Sequence, residues 1–152
     1  MKPGSRGFTL LELLIVVAIV ALATAGVSLS LRDTNATALD DEAVRLAAMF
    51  ESARAQSRTS GVPVRWRSNA QGFEFQGITT SADARDSLAH PRTWLNGQTS
   101  ARVVQPPGAS ELLLGPEPLI AAQQIELAQG ERRLVLGTDG LGPFAVVPAA
   151  TP

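Results

Sequence analysis

Hydrophobic residues are concentrated in one uninterrupted segment near the start of the chain. Between Phe8 and Leu31, 18 of 24 residues are apolar, and Glu12 is the only charged residue among them. No proline interrupts this segment, so its composition predicts a helix. At about 1.5 Å per residue the helix would rise roughly 36 Å, which is enough to cross a bilayer core of about 30 Å. We therefore predict a transmembrane or filament-core helix over residues 8–31.

Beyond residue 31 the hydrophobic positions become periodic. They recur every three or four residues, as is typical of a helix that packs one face against a core. The stripe consists of Leu39, Ala43, Leu46, Phe50, Ala53 and Ser57. The charged residues between them are assigned to the exposed face, with ion pairs expected for Asp41 with Arg45 and for Glu51 with Arg54; Glu42 belongs to the same face. Ser60-Gly61 supplies a stop, so the amphipathic second half of the helix is predicted over residues 32–61.

From residue 62 to residue 147 short alternating runs are separated by turn residues, which predicts antiparallel strands. The predicted strands lie at residues 62–67, 73–76, 101–105, 111–114, 124–127, 132–136 and 144–147. Residues 79–100 have no period and predict a long loop, and residues 148–152 predict a frayed tail. One long helix followed by several short strands indicates an α+β fold, with the helix packed on an antiparallel β-sheet.

Composition and charge narrow the classes of function. The chain has no cysteine, which excludes disulfide scaffolds, cysteine-ligated zinc and thiol catalysis. Its formal net charge is 13 − 14 = −1, which argues against a nucleic-acid-binding protein. Two of the basic residues, Lys2 and Arg6, precede the apolar segment, and this bias predicts a cytoplasmic N-terminus.

Glu12 is chemically unusual because it lies at the start of a membrane-compatible segment. A lone ionised carboxylate in lipid costs on the order of 2.5–3.5 kcal/mol, so Glu12 should have a partner or lie at the interface. Cleavage after Gly7 would give Phe8 a free α-amine that is largely protonated at neutral pH, about one helical turn from Glu12. The same amine could reach Glu12 of a neighbouring copy and set the register between subunits. The competing interpretation is an ordinary signal peptide cleaved near Ala23-Thr24-Ala25.

The stretch Gly7-Phe8-Thr9-Leu10-Leu11-Glu12, behind a short basic leader and ahead of an apolar helix, resembles the type III signal of type IV pilins and type II secretion pseudopilins. In that family a membrane-embedded peptidase cuts after the glycine and methylates the new N-terminal phenylalanine. The resemblance implies that residues 1–7 are a cleaved leader and that Gly7 and Phe8 flank the prepilin peptidase cleavage site. It also implies that Phe8 is N-methylated and that Glu12 is the assembly carboxylate.

Three segments of the C-terminal third are similar to the H-type minor pseudopilin of type II secretion systems, and they are Leu114–Leu119, Gln124–Leu127 and Leu136–Phe144. This resemblance implies a sandwich-like periplasmic head of two antiparallel sheets, near the tip of a pseudopilus. Before assembly the chain would cross the inner membrane once. The implied partners are the prepilin peptidase/methyltransferase, the major pseudopilin, other minor pseudopilins and an inner-membrane assembly platform; secreted exoproteins stay open as a further partner.

Two alternatives stay open. One is a minor pilin of a type IV pilus, serving pilus assembly or DNA uptake. The other is a secreted or membrane-anchored β-rich enzyme that uses an ordinary signal peptide.

The head itself shows no pattern typical of an active site, and we expect no catalytic residue, cofactor or metal. The sole histidine, His90, and the loop carboxylates Asp83 and Asp86 are expected to be solvated, and Asp139-Gly140 predicts a turn. Trp66 and Trp94 are expected in the core, with an exposed contact residue as the alternative for Trp94. The arginines that could make a basic patch are assigned to a solvated surface, and they are Arg65, Arg67, Arg85, Arg92 and Arg102.

Overall fold

The computed structural model of the chain describes residues 10–78 and 87–148, and the side chains of residues 24–36 are not described. The chain divides into two compact units, Met1–Ala36 and Thr37–Pro152. The predicted leader 1–7, most of the predicted tail, and the loop residues Asp83, Arg85 and Asp86 lie outside the described residues.

The described residues form one helix and eight strands. These are α1 (Leu10–Ser60), β1 (Arg65–Ser68), β2 (Gly72–Gln76), β3 (Arg92–Thr93), β4 (Thr99–Gln105), β5 (Leu112–Leu113), β6 (Gln123–Gln129), β7 (Arg132–Thr138) and β8 (Ala145–Val147). Helix α1 ends where predicted, because Gly61 takes up the left-handed backbone conformation (φ +70°) and donates its N–H to the Ser57 carbonyl at 2.9 Å.

The strands make two four-stranded antiparallel sheets. Sheet A has the order β3-β2-β1-β5, and sheet B has the order β4-β6-β7-β8. In sheet A, Trp66 of β1 pairs with Phe75 of β2 and with Leu112 of β5. In sheet B, β6 and β7 form a hairpin in which Ile125 pairs with Leu136. This hairpin turns at Gly130, within the turn that the sequence predicts.

The core of the second unit contains the second half of α1 and residues from both sheets. All six positions of the predicted stripe, Leu39 through Ser57, are fully buried. Phe50 lies among the rings of Trp66 and Phe144, with centroid distances of 5.3 and 4.8 Å. Ile125, Leu127 and Leu136 of sheet B are fully buried in the same cluster. Apolar burial is the main stabilising contribution to such a core.

These features confirm the predicted α+β fold with the helix packed on antiparallel sheets. Several details of the prediction were wrong. Strand β1 begins at Arg65 rather than at Val62, and the predicted loop 79–100 contains the short strand β3 and the start of β4. Trp94 of this region is buried, as its core assignment predicted.

Candidate functional site

The predicted N-terminal site is only partly described by the structure. Gly7 and Phe8 lie outside the described residues, so their proposed roles stay predictions. Glu12 lies in the first turn of α1 and is exposed. Its neighbours along the helix are leucines and β-branched residues.

Large apolar side chains cover the described start of α1. Ten of them are each exposed over 46–82% of their surface, and they are Leu10, Leu11, Leu13, Leu14, Ile15, Val16, Val17, Ile19, Val20 and Leu22. Since successive helical residues are about 100° apart, these positions surround the whole circumference of the helix. A helix that is apolar all round is normally buried in a protein interior or in a membrane. This surface therefore calls for cover from lipid or from other chains.

No helix among the described residues is long and apolar enough to cross a membrane. The predicted span 8–31 includes side chains outside the described part of the chain, and it stays a prediction.

A pair of charged residues on α1 holds the end of β3 and the segment that follows it. The Glu42 carboxylate accepts a hydrogen bond from the Leu95 N–H at 2.6 Å and another from Arg45 at 3.0 Å. Arg45 also donates to the Thr93 carbonyl at 3.2 Å. The helix thus binds two backbone groups, two residues apart, in one extended segment.

A second pair on α1 binds the segment before β8 in the same way. The Glu51 carboxylate accepts from the Phe144 N–H at 3.1 Å, and Arg54 donates to the Gly142 carbonyl at 3.1 Å. Arg54 also contacts Glu51 at 3.2 Å. Again a Glu-x-x-Arg sequence binds a carbonyl and an N–H that are two residues apart. We call these two arrangements the Glu42 clamp (Glu42, Arg45) and the Glu51 clamp (Glu51, Arg54).

The two clamps lie on opposite flanks of the buried stripe. Glu42 and Glu51 are nine residues apart, or about 2.5 helical turns, so they point to opposite sides of α1. On each flank the residue nearer the stripe is the more buried one. Glu42 is fully buried and Arg54 is 5% exposed. The helix is therefore fixed along both edges by the loops that it passes.

The clamps correct the predicted exposed face. Arg45 pairs with Glu42 rather than with Asp41, and Glu42 and Arg54 are buried. Sequence reasoning missed this because ion pairs at i,i+3 on a helix usually lie on the surface. The signal available was the repeat of Glu-x-x-Arg at a nine-residue interval.

The arginines considered as a basic patch are mostly paired with carboxylates. Arg65 and Arg67 both contact Glu111, at 3.0 and 3.8 Å, and Arg102 contacts Glu126 at 2.9 Å. These contacts offset part of the local positive charge that a duplex-binding surface would need, although Arg65 and Arg67 share the single carboxylate of Glu111.

The remaining candidates within the described residues, His90 and Asp139, lie in solvent and in a turn. His90 is exposed, and the Asp139 carboxylate accepts the N–H groups of Leu141 and Gly142 at 2.9 and 2.8 Å. These two hydrogen bonds hold the pKa of the Asp139 carboxyl below its usual range, Gly142 contributing most. Asp139 is thus a turn residue, as predicted. Within the described ranges, no three His, Asp or Glu side chains are grouped so as to hold a metal ion.

Comparison with known proteins supports a pilin-like chain. Residues 2–28 match a family described as the prokaryotic N-terminal methylation motif. No curated protein matches the chain in sequence. Two crystal structures of the type IV minor pilin FimU from Pseudomonas aeruginosa are similar in fold.

The first FimU structure has a TM-score of 0.55 at 15% sequence identity and covers 76% of this chain and 92% of its own. The second, from another crystal form, has a TM-score of 0.51 at 14% sequence identity and covers 72% of this chain and 92% of its own. At 14–15% sequence identity, the similarity to these structures establishes the fold alone. The chain therefore has a pilin-like fold together with an N-terminal methylation motif.

Proposed function

We propose that this chain is a minor pseudopilin of a type II secretion system. It would be a structural subunit near the tip of a periplasmic pseudopilus that helps to drive folded exoproteins through the outer membrane. The observation that carries the proposal is the apolar surface of α1 over residues 10–22, which surrounds Glu12 and lies within a methylation motif. Such a surface needs cover, and a bilayer before assembly and neighbouring helices after assembly would each supply it.

The chemistry of assembly rests on two groups. A prepilin peptidase/methyltransferase would cut after Gly7 and methylate the new terminus at Phe8. The resulting secondary amine keeps its positive charge near neutral pH and would pair with Glu12 of a neighbouring subunit. In a medium of low dielectric constant such a pair is strongly favoured over either charge alone. It would therefore fix the axial register between helices.

The head would act as a structural unit rather than as an enzyme. Four charged residues on α1, those of the two clamps, are used to hold backbone segments of the head. The proposed partners are other minor pseudopilins, the major pseudopilin and an inner-membrane platform. Before assembly the chain would lie in the inner membrane with its head in the periplasm.

Mass spectrometry of the mature protein tests the processing step. We expect a chain that begins with N-methylated Phe8. A chain that begins at Gly26 would instead show cleavage after Ala25 by an ordinary signal peptidase and would contradict the proposal.

Glu12→Gln tests the assembly step because it removes the charge and keeps the size of the side chain. We expect normal cleavage and a folded head, but roughly tenfold less subunit in the sheared filament fraction, which corresponds to about 1.4 kcal/mol. Glu131→Gln is the matched control, since Glu131 is an exposed glutamate in the turn between β6 and β7. Equal incorporation of both variants would exclude Glu12 as the assembly carboxylate.

A type IV minor pilin is the second candidate, and the similarity in fold to FimU favours it. Deletion of the gene separates the two candidates. Loss of secreted folded exoproteins with intact surface pili supports the pseudopilin. Loss of surface pili with normal secretion supports the pilin.

A further inference from the structure

Four strands lie at the outer edges of the two sheets that the described residues form. An uncovered strand edge presents free N–H and C=O groups that can pair with the edge of another molecule. The outer strands are β3 and β5 in sheet A and β4 and β8 in sheet B. In each outer strand, or in the residue next to it, a backbone group forms a hydrogen bond with a side chain.

Strand β5 shows the most complete cover. The Leu114 N–H bonds the Val64 carbonyl at 2.8 Å on the β1 side. Because successive residues of a strand point their backbone groups to opposite sides, the N–H and C=O of Leu113 face away from β1. Both are bonded by the side-chain amide of Gln123. Its oxygen accepts from the Leu113 N–H and its nitrogen donates to the Leu113 carbonyl, each at 2.8 Å.

Gln123 is the first residue of β6, so this side chain reaches from sheet B to the edge of sheet A. Its amide has the same donor and acceptor as a peptide group. With only 4% of its surface exposed, Gln123 is a buried polar residue whose amide is bonded through both its oxygen and its nitrogen. It occupies the place that one residue of a further strand would take.

On each of the other outer strands, or just before it, a side chain forms a hydrogen bond with a backbone group. Arg45 of the Glu42 clamp bonds the Thr93 carbonyl of β3, and Glu51 bonds the Phe144 N–H immediately before β8. On β4, the Ser68 hydroxyl donates to the Ala101 carbonyl at 2.8 Å.

We propose that Gln123 acts as a one-residue substitute for a neighbouring strand, and that it keeps copies of the head from joining edge to edge through β5. When Gln123 is replaced by a residue that cannot make these hydrogen bonds, β5 pairs with the β5 strand of a second copy. The two strands are then antiparallel and related by a two-fold axis. A cleft of about 450 Å³ lies beside the edge, and Leu113, Leu119 and Ile120 line it together with the charged residues Arg65, Glu111 and Glu117. Its apolar part offers cover to that strand.

The test uses the full chain in detergent and exploits its lack of cysteine. Leu113→Cys places a single thiol at the edge, where two-fold β5 pairing brings both copies of the thiol together. We expect little intermolecular disulfide with Gln123 in place and at least a fivefold higher yield after adding Gln123→Met. Gln123→Glu keeps the acceptor and loses the donor, so an intermediate yield is expected.

Two controls separate edge pairing from general association. Gln124→Met, added to Leu113→Cys, changes the next residue of β6, which faces the opposite way, and should leave the disulfide yield unchanged. Val44→Cys places the thiol on the exposed face of α1 instead, and its yield should be the same with or without Gln123→Met. If adding Gln123→Met to Leu113→Cys leaves the disulfide yield unchanged, the proposal is overturned.

Hydrogen exchange of the unaltered protein keeps the proposal testable if Gln123→Met fails to fold. The Leu113 amide should exchange at least tenfold more slowly than an amide in an exposed turn, such as that of Ala70. Exchange at the same rate as Ala70 would show that Gln123 does not hold this edge.

Discussion

The carboxylate of Glu42 accepts a 2.6 Å hydrogen bond from the N–H of Leu95, a residue 53 positions further along the chain. Glu42 is fully buried, so the energy of this contact is not weakened by competing water. The same carboxylate neutralises Arg45, whose guanidinium lies 5.6 Å from the ring centroid of Phe73. The Glu42 and Arg45 side chains together thereby join α1 to a loop and to sheet A.

Replacement of Glu42 should destabilise the head strongly. Glu42→Ala leaves the Leu95 N–H without its acceptor and Arg45 without its carboxylate partner, and we expect a loss of about 2–4 kcal/mol in the free energy of unfolding. Asp41→Ala is the matched control, because Asp41 is the exposed neighbour and should change stability by less than about 0.5 kcal/mol. Unfolding can be followed by tryptophan fluorescence, since both tryptophans are buried in the head. Similar losses for the two variants would contradict the role of the Glu42 clamp.

Gly140 should not tolerate a side chain. Its φ is +93°, and a Cβ atom there would overlap the Ile120 carbonyl oxygen. Gly140→Ala should therefore cost more than about 3 kcal/mol or prevent folding. Gly97→Ala is the comparison, because a Cβ at Gly97 meets no atom within 4 Å. Thermal melts of the two variants measure the difference, and a melt of Gly140→Ala that matches Gly97→Ala would refute the expectation.

The Arg102–Glu126 pair predicts a dependence of stability on pH. The Arg102 hydrogen bond holds the pKa of the Glu126 carboxyl below its ordinary value of 4.5. A group whose pKa is lowered by folding stabilises the protein above its ordinary pKa, and this contribution is lost as the pH falls through the folded value. Unaltered protein should thus have a slightly higher Tm than Glu126→Gln at pH 7, because exposed ion pairs contribute little. The difference should shrink steadily below pH 4.5.

Differential scanning calorimetry across this pH range provides the measurement. Glu117→Gln, a change at an exposed glutamate before β6, is the control and should show no such trend. A Tm difference for Glu126→Gln that stays constant into acid would argue against this pair.

Local patterns predicted most of the fold. The stripe from Leu39 to Ser57 follows from the helical period alone, and the hairpin of β6 and β7 follows from alternation around Gly130. Each of these features depends on residues close together in the chain, so the sequence contains the required information.

The contacts that the sequence did not predict join residues far apart. From the sequence, Glu42 is assigned to the surface because its partner Leu95 lies 53 residues away and comes close to it only in the folded chain. Strand β3 is only two residues long and exists because β2 and α1 supply partners for its backbone. At the candidate site, the motif around Glu12 was readable from the sequence because it depends on adjacent residues. The contact of Gln123 with Leu113 could not be predicted, since nothing in the sequence distinguishes Gln123 from the other glutamines of the chain.

The opposite placement of the two clamps has a mechanical consequence. A force along the axis of α1 would load the Glu42 clamp and the Glu51 clamp at the same time, one on each side of the helix. Thr93, held by the first, belongs to sheet A, and Phe144, held by the second, leads into sheet B. The force would therefore be divided between the two sheets and would act parallel to the helix. Neither sheet would have to separate from α1 before the other.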